Sequence, residues 1–158
     1  MPTKSPKQLL VAAIKNGTVI DHITAGHALK IIRLLNLASH NKVVTVGLNL
    51  PSQAMKLKDL IKVEDREITT EESNRVAILA PKASINIIKN YEVVKKIFVK
   101  LPDTIEYVVV CPNLKCITNN ENMNSKFNVI KEKDGIKLKC HYCEKIFKQE
   151  EIKEYKNN

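Results

Sequence analysis

Along the first hundred residues apolar positions mostly alternate with polar ones, and twice they switch to the spacing of a helix. Alternation puts successive side chains on opposite faces of a strand, whereas the wider spacing gathers them on one helical face. Leu9 to Ile14 and Thr18 to Ile23 therefore read as paired strands joined by Asn16-Gly17, the preferred dipeptide of a type I′ turn. Asp21 and His22 fall at the end of the second strand. Thr24 suits the N-cap of a helix reaching about Leu37, with an apolar face of Ala28, Ile31, Ile32 and Leu35 widened by Leu29 and Leu34. His27, in its first turn, is expected at the surface. Val43 to Leu48 is a β-branched strand ending by Pro51-Ser52, and Met55 to Val63 returns as another. Lys58 and Lys62, four apart in that strand, share one side.

Thr69-Thr70-Glu71-Glu72 has the form of a capping box and opens a second helix, which Pro81 stops after about Leu79. Ala83 to Ile88 alternates so that Ser84 and Asn86 share the polar face, and Asn90-Tyr91 leads into a strand from Glu92 to Val99. The order strand, strand, helix, strand, strand, helix, strand, strand predicts an α+β fold. Its N-terminal domain, residues 1–102, is a largely antiparallel sheet with two helices on one face. Residues 103–158 hold shorter strand patterns at Tyr107 to Val110, Phe127 to Lys131 and Ile136 to Lys139, with Asp134-Gly135 as a turn. They form a small all-β domain. The proline-containing residues 1–8 and the polar residues beyond about Lys153 read as mobile ends.

That second domain contains all four cysteines of the 158-residue chain, as Cys111-Pro112-Asn113-Leu114-Lys115-Cys116 and Cys140-His141-Tyr142-Cys143. Two close pairs separated by 23 residues are the pattern of a four-thiolate zinc site. Four protein ligands leave no position for water or substrate, so the zinc is structural, and so small a module is expected to need it to fold. Scattered core cysteines would not pair this way. Disulfides require an oxidising compartment, but the start Met-Pro-Thr-Lys-Ser-Pro-Lys-Gln has no apolar run of a signal peptide and no stretch reaches membrane length. The expectation is a cytoplasmic protein without a membrane partner.

Charge changes the picture further. The net charge is +9, and residues 1–102 hold 16 Lys/Arg against 8 Asp/Glu, while 103–158 hold 10 against 9. Four thiolates around one Zn2+ leave the metal half close to neutral. A nucleic-acid-binding zinc ribbon, the alternative from another class, should be basic there and rich in arginine or aromatic residues. With three Arg and seven aromatic residues in the chain, no nucleic-acid partner is expected. In the basic half Asp21, His22, Lys58, Lys62 and Lys96 sit at strand ends. They read either as an anion site, with phosphate the commonest occupant, or as solvated surface lysines. No glycine-rich phosphate loop, nucleophile elbow or metalloprotease helix is present, so an enzyme is not indicated.

Several blocks, in one order, resemble the regulatory chains of aspartate carbamoyltransferase. They are Gly17-Thr18-Val19-Ile20-Asp21-His22-Ile23, Val46-Gly47-Leu48-Asn49-Leu50-Pro51-Ser52, Lys58-Asp59-Leu60-Ile61-Lys62, Asn90-Tyr91-Glu92-Val93-Val94, Val110-Cys111-Pro112-Asn113 and Leu138-Lys139-Cys140-His141-Tyr142-Cys143-Glu144-Lys145. The resemblance spans roughly residues 9–148. It implies a non-catalytic subunit of pyrimidine biosynthesis, whose N-terminal allosteric domain binds CTP as inhibitor and ATP as activator, and it leaves open whether UTP is a further effector. Its zinc domain would clamp a catalytic chain, in an assembly of two catalytic trimers and three regulatory dimers. By position, the resemblance places Lys96 and His22 at the triphosphate with Lys58 close by, and Asp21 and Lys62 at the ribose. Ile14, Tyr91 and Val93 would line the base over Val19, Asn86 would lie at the inner end, and Ala12 stands beside the base where well-known members carry a Glu. Cys111, Cys116, Cys140 and Cys143 match the zinc ligands, and Asn113, Tyr142 and Glu144 lie on loops that meet the catalytic chain. Lys115 departs from the polar Asn of the family's first loop.

Overall fold

The computed structural model describes residues 11–133, 135–153 and 155–156. The first sheet is built from β1 (Gly17–Thr24), β2 (Val44–Ser52), β3 (Lys56–Glu64), β4 (Ser84–Lys89) and β5 (Glu92–Phe98). Helix α1 (Ala28–Leu34) links β1 to β2, and α2 (Thr70–Leu79) links β3 to β4. The strand order is β2-β3-β1-β4-β5 with every pairing antiparallel, so the first strand in sequence is the central one in space. This is a split β-α-β arrangement. Ile20, Ile61, Val63, Ile85 and Ile87 are buried on one face in a cluster with Ile31 and Leu34 of α1 and Val76, Ala77 and Leu79 of α2. Alternation sends Val19, Asp21, Lys62, Asn86 and Lys96 to the other face. The two-layer α+β reading stands.

Helix α2 starts as its sequence requires. Thr69 Oγ1 accepts the Glu72 N–H at 3.1 Å and Glu72 Oε2 accepts the Thr69 N–H at 2.9 Å, a box worth about 1 kcal/mol. Helix α1 is shorter than its apolar spacing suggests. Thr24 ends β1 instead of capping the helix, and Asn36 turns left-handed (φ 52°), breaking the run before a 3-10 turn at Leu37–Ser39. His27 is not a surface residue either. It is half-buried, and its Nδ1 lies 2.6 Å from the Leu79 carbonyl, tying the start of α1 to the end of α2.

The first hairpin does not form. Residues 11–14 are not a strand, and Leu9 and Leu10 lie outside the described residues, as does the arm 1–8. Gly17 opens β1 at φ 140°, and a Cβ there would collide with the Val63 carbonyl of β3. The left-handed pair of a two-residue turn occurs instead at Asn90 (φ 51°) and Tyr91 (φ 66°), closed by Lys89 opposite Glu92. Asn16 is used differently. Its Oδ1 accepts the Asn90 N–H at 3.2 Å, while the Lys15 carbonyl accepts the Tyr91 N–H at 2.9 Å.

The second sheet runs β6 (Thr104–Glu106), β7 (Lys126–Glu132), β8 (Gly135–Cys140) and β9 (Ile146–Lys148), antiparallel and in that order. The strand expected at Tyr107 to Val110 is replaced by β6 just upstream, because Tyr107 takes φ 61° and breaks the extended run. Only Val109 pairs further, in an isolated bridge to Tyr155. Strand β9 and the single-turn helix α3 (Ile117–Asn120) are too short to carry a periodic signature. Asp134, and with it the Asp134-Gly135 turn, lies outside the described residues. The expected polar tail is in part packed: Tyr155 is half-buried and bridges to Val109, and the Lys156 N–H donates to the Val108 carbonyl at 2.7 Å. Gln149 Nε2 donates to the Ile78 carbonyl at 2.6 Å, and Ile105 and Val108 join the same buried cluster as α2, so the two sheets share a core. Among the described residues no helix is long and apolar enough to cross a membrane.

Gly17→Ala places a side chain against the β3 backbone at a φ that L-residues seldom adopt. A loss of about 2 kcal/mol or more is expected in chemical denaturation; an unchanged midpoint would show that β1 and β3 are not packed this closely.

Candidate functional site

Two sites emerge, one in each sheet. In the second, the Sγ atoms of Cys111, Cys116, Cys140 and Cys143 lie within 4.8 Å of one another. Cys111 and Cys143 are 3.8 Å apart and Cys116 and Cys140 3.7 Å, far beyond the roughly 2.05 Å of a disulfide. A zinc about 2.3 Å from each of four sulfurs sets them about 3.8 Å apart, so the spacing fits that ion.

Local turns aim the sulfurs. The Cys116 N–H donates to the Asn113 carbonyl at 2.9 Å, and Asn119 Nδ2 donates to the Cys111 and Asn113 carbonyls at 2.9 and 2.8 Å. Across the site the Glu144 N–H donates to the Cys140 carbonyl at 3.0 Å, with Glu144 left-handed at φ 60°. Thr118 Oγ1 donates to Cys116 Sγ at 3.2 Å, a second support that cysteine spacing cannot reveal. Burial pushes the Cys111 and Cys140 thiols up. At Cys143 burial acts the same way, but hydrogen bonds led by the Lys145 N–H prevail and bring it down to about 7. Four ionised sulfurs at this separation need a cation among them. Asn113 is half-buried within the first turn, while Tyr142 and Glu144 are exposed on the second, with the Tyr142 ring edge-on to His141.

In the first sheet, residues directly opposite each other on paired strands share a face. Lys62 lies opposite Val19, Val19 opposite Asn86, and Asn86 opposite Lys96. These four form one row across β3, β1, β4 and β5 on the helix-free face, roughly 14 Å long at the usual strand spacing. One step along β1, Asp21 Oδ1 accepts from Lys58 Nζ at 2.9 Å and from the His22 N–H at 2.6 Å. Burial alone would raise the Asp21 carboxyl; the Lys58 ammonium and the His22 N–H outweigh it and hold it below its ordinary value. Lys62 Nζ donates to the carbonyls of Val11 at 3.1 Å and Ala12 at 2.6 Å, and burial pulls that ammonium down. Lys62 therefore tethers the segment carrying Ala12 and the buried Ile14. Val93 pairs with Ile88 beside an irregularity in β5, and the exposed Tyr91 sits in the strained turn bonded to Lys15.

Val19, Asp21, Lys58, Lys62, Asn86 and Lys96 thus gather on one face, with two refinements. Ser84 shares a side with Asn86 as expected, yet it is buried rather than presented, and its Oγ has no partner among the described residues. Lys96 is exposed, with Nζ 5.3 Å from the centroid of Phe98, a ring that no motif had marked. Asp59 has no place in the sequence-derived set, yet strand alternation puts this carboxylate on the apolar side with Ile61 and Val63, a mismatch visible in the sequence itself.

Residues 9–100 match the family described as aspartate carbamoyltransferase regulatory chain, allosteric domain. Residues 103–153 match the metal binding domain of the same regulatory chain. The aspartate carbamoyltransferase regulatory chain of Photobacterium profundum is 50% identical over 147 residues, covering 93% of this chain and 96% of its own. That of Vibrio campbellii is 49% identical over the same shares, and that of Tolumonas auensis 48% identical over 94% and 96%. With both halves matched and near-complete coverage on each side, the chain belongs to the family of aspartate carbamoyltransferase regulatory chains, which are regulatory and not catalytic.

Proposed function

We propose that the helix-free face of the first sheet binds nucleoside triphosphates and that the cysteine module, holding one structural Zn2+, docks a catalytic chain of aspartate carbamoyltransferase. The observation that carries the first half is the row Lys62, Val19, Asn86 and Lys96 with the Asp21–Lys58 pair beside it. A triphosphate carries several negative charges, and Lys58, Lys96 and His22 face it with Asp21 as the one acid named at the site. Asp21 and the remaining donor capacity of Lys62 suit ribose hydroxyls. Ala12, Ile14, Tyr91 and Val93, beside Val19, offer apolar contact and backbone groups to the base, where CTP, ATP and UTP differ in size and hydrogen bonding.

In this reading residues 1–102 are the allosteric domain and residues 103–158 the domain that grips the catalytic chain through Asn113, Tyr142 and Glu144. Zinc supplies charge neutralisation and a cross-link between the two cysteine turns, with no part in chemistry. The regulatory chain pairs with a second copy, and the assembly holds six catalytic and six regulatory chains in the cytoplasm. CTP and ATP act by differential affinity for two states of the catalytic subunits, which gives feedback control of pyrimidine biosynthesis.

Lys96→Ala removes a phosphate contact common to both effectors. Calorimetric titration should show CTP and ATP weakened alike by about ten-fold, the loss of one charge-assisted hydrogen bond; unchanged isotherms for both would remove the assignment. Elemental analysis should find one zinc per chain, and a mercurial should eject it and free the catalytic trimers, as read by sedimentation. Intact complexes after mercurial treatment would contradict the docking role. The lowered Asp21 carboxyl adds stability that is complete above the unfolded value of about 4 and is lost as pH falls through the lower folded value. Melting of the wild-type chain should therefore drop more steeply below about pH 4 than that of Asp21→Asn. Parallel curves would mean the Lys58 pair contributes nothing.

A further inference from the structure

We propose that Asp59 is a positioning residue for the nucleotide site, acting on it from the opposite side of the sheet. The inference rests on the nucleotide reading above. Asp59 is fully buried on the helix face of β3. Its Oδ2 accepts the N–H groups of Gly26 at 2.9 Å and Ala28 at 3.2 Å, and its Oδ1 accepts that of Asn49 at 2.9 Å. Helix α1 has no cap from its own N-cap side chain and no acid in its first turn, so this carboxylate, arriving from a neighbouring strand, takes that place.

Both neighbours of β3 bulge at the level of Asp59. On one side Ile20 pairs with Ile61 and Ile23 with Asp59, so that Asp21 and His22 together face Leu60. On the other, Gly47 pairs with Leu60 and Leu50 with Lys58, so that Leu48 and Asn49 together face Asp59. His22 and Asn49 each take φ 56°, a region that residues with a Cβ seldom enter. The extra residue in β1 lets Ile20 and Ile23, three apart, both reach zero exposure, while Asp21 stays on the open face. Asp59 fixes the backbone just beyond the end of β1 and at the β2 bulge. Its chain neighbour Lys58 makes the 2.9 Å pair with Asp21. Asp21, His22 and Lys58, three of the groups assigned to the nucleotide, therefore depend on one carboxylate on the far side of the sheet.

Asp59→Asn keeps the shape but cannot accept three N–H groups, because its amide nitrogen is a donor. The experiment uses the full chain, CTP and ATP as ligands, and a temperature well below the melt. Asp59→Asn should bind both nucleotides about ten-fold or more weakly with unchanged zinc content, and the Asp21 and His22 amide resonances should move. A variant that melts earlier yet binds with wild-type dissociation constants would reduce Asp59 to a fold residue and overturn the proposal. Where the variant does not fold, amide exchange in the wild-type chain decides. Gly26, Ala28 and Asn49 should exchange more slowly at saturating CTP, and identical rates with and without CTP overturn the inference. Absence of nucleotide binding by the wild-type chain removes the site itself; wild-type affinity in Asp59→Asn, with Lys96→Ala weakened, removes only the role given to Asp59.

Discussion

The central position of β1 is the constraint from which the architecture of the first sheet follows. A strand of eight residues pairs with β3 on one edge and β4 on the other, and each of its faces has a different task. Ile20 and Ile23 close the core while Val19 and Asp21 look out on the helix-free side. Because strand side chains alternate, a slip of one residue would exchange the faces, sending a carboxylate into the core and isoleucines into water. Gly17 admits the close approach of β3 at the start of the strand. The bulge near its end lets one strand meet both requirements.

Electrostatics then divides the labour between the halves. The N-terminal half carries the excess of lysine, and on its open face the cations outnumber the acid that organises them. Asp21 is held ionised by Lys58 and a backbone N–H, and its charge in turn draws that ammonium into the site. The C-terminal half concentrates potential negative charge in four sulfurs that burial alone would keep protonated at Cys111 and Cys140. A dication resolves that conflict and crosslinks two turns separated by 23 residues of chain, which suits a module with only a four-stranded sheet to bury.

Much of this is legible in the sequence because it depends on local chemistry. The Thr69 capping box, the cysteine spacing and the alternation of β3, β4, β7 and β8 are each decided within a few residues. At α1 and at the strand expected from Tyr107, a left-handed residue breaks the run locally; the other misreadings share a cause in long-range geometry. Asn16-Gly17 has the composition of a tight turn, yet Gly17 is needed for its missing Cβ against Val63, and the left-handed pair falls at Asn90-Tyr91. His27 looks solvated until the end of α2 arrives beside it. Tyr155 looks like tail until Val109 pairs with it. The face shared by Lys62, Val19, Asn86 and Lys96 could not be read from spacing alone, since it needs the register of four strands that are not consecutive in the chain.

The cysteine turns have a consequence of a different kind. The groups that hold the sulfurs in place are backbone N–H and C=O groups, Thr118 and the amides of Asn119 and Asn120, whereas Leu114, Lys115, Tyr142 and Glu144 project from the turns without supporting them. Framework and exposed side chains are thus largely written in separate letters of the same short segments, with Asn113, whose Oδ1 accepts the Lys115 N–H at 3.2 Å, belonging to the framework. Mutation can revise the exposed side chains while leaving intact the scaffold that presents them, so the outer surface of these turns can drift at little risk to the fold.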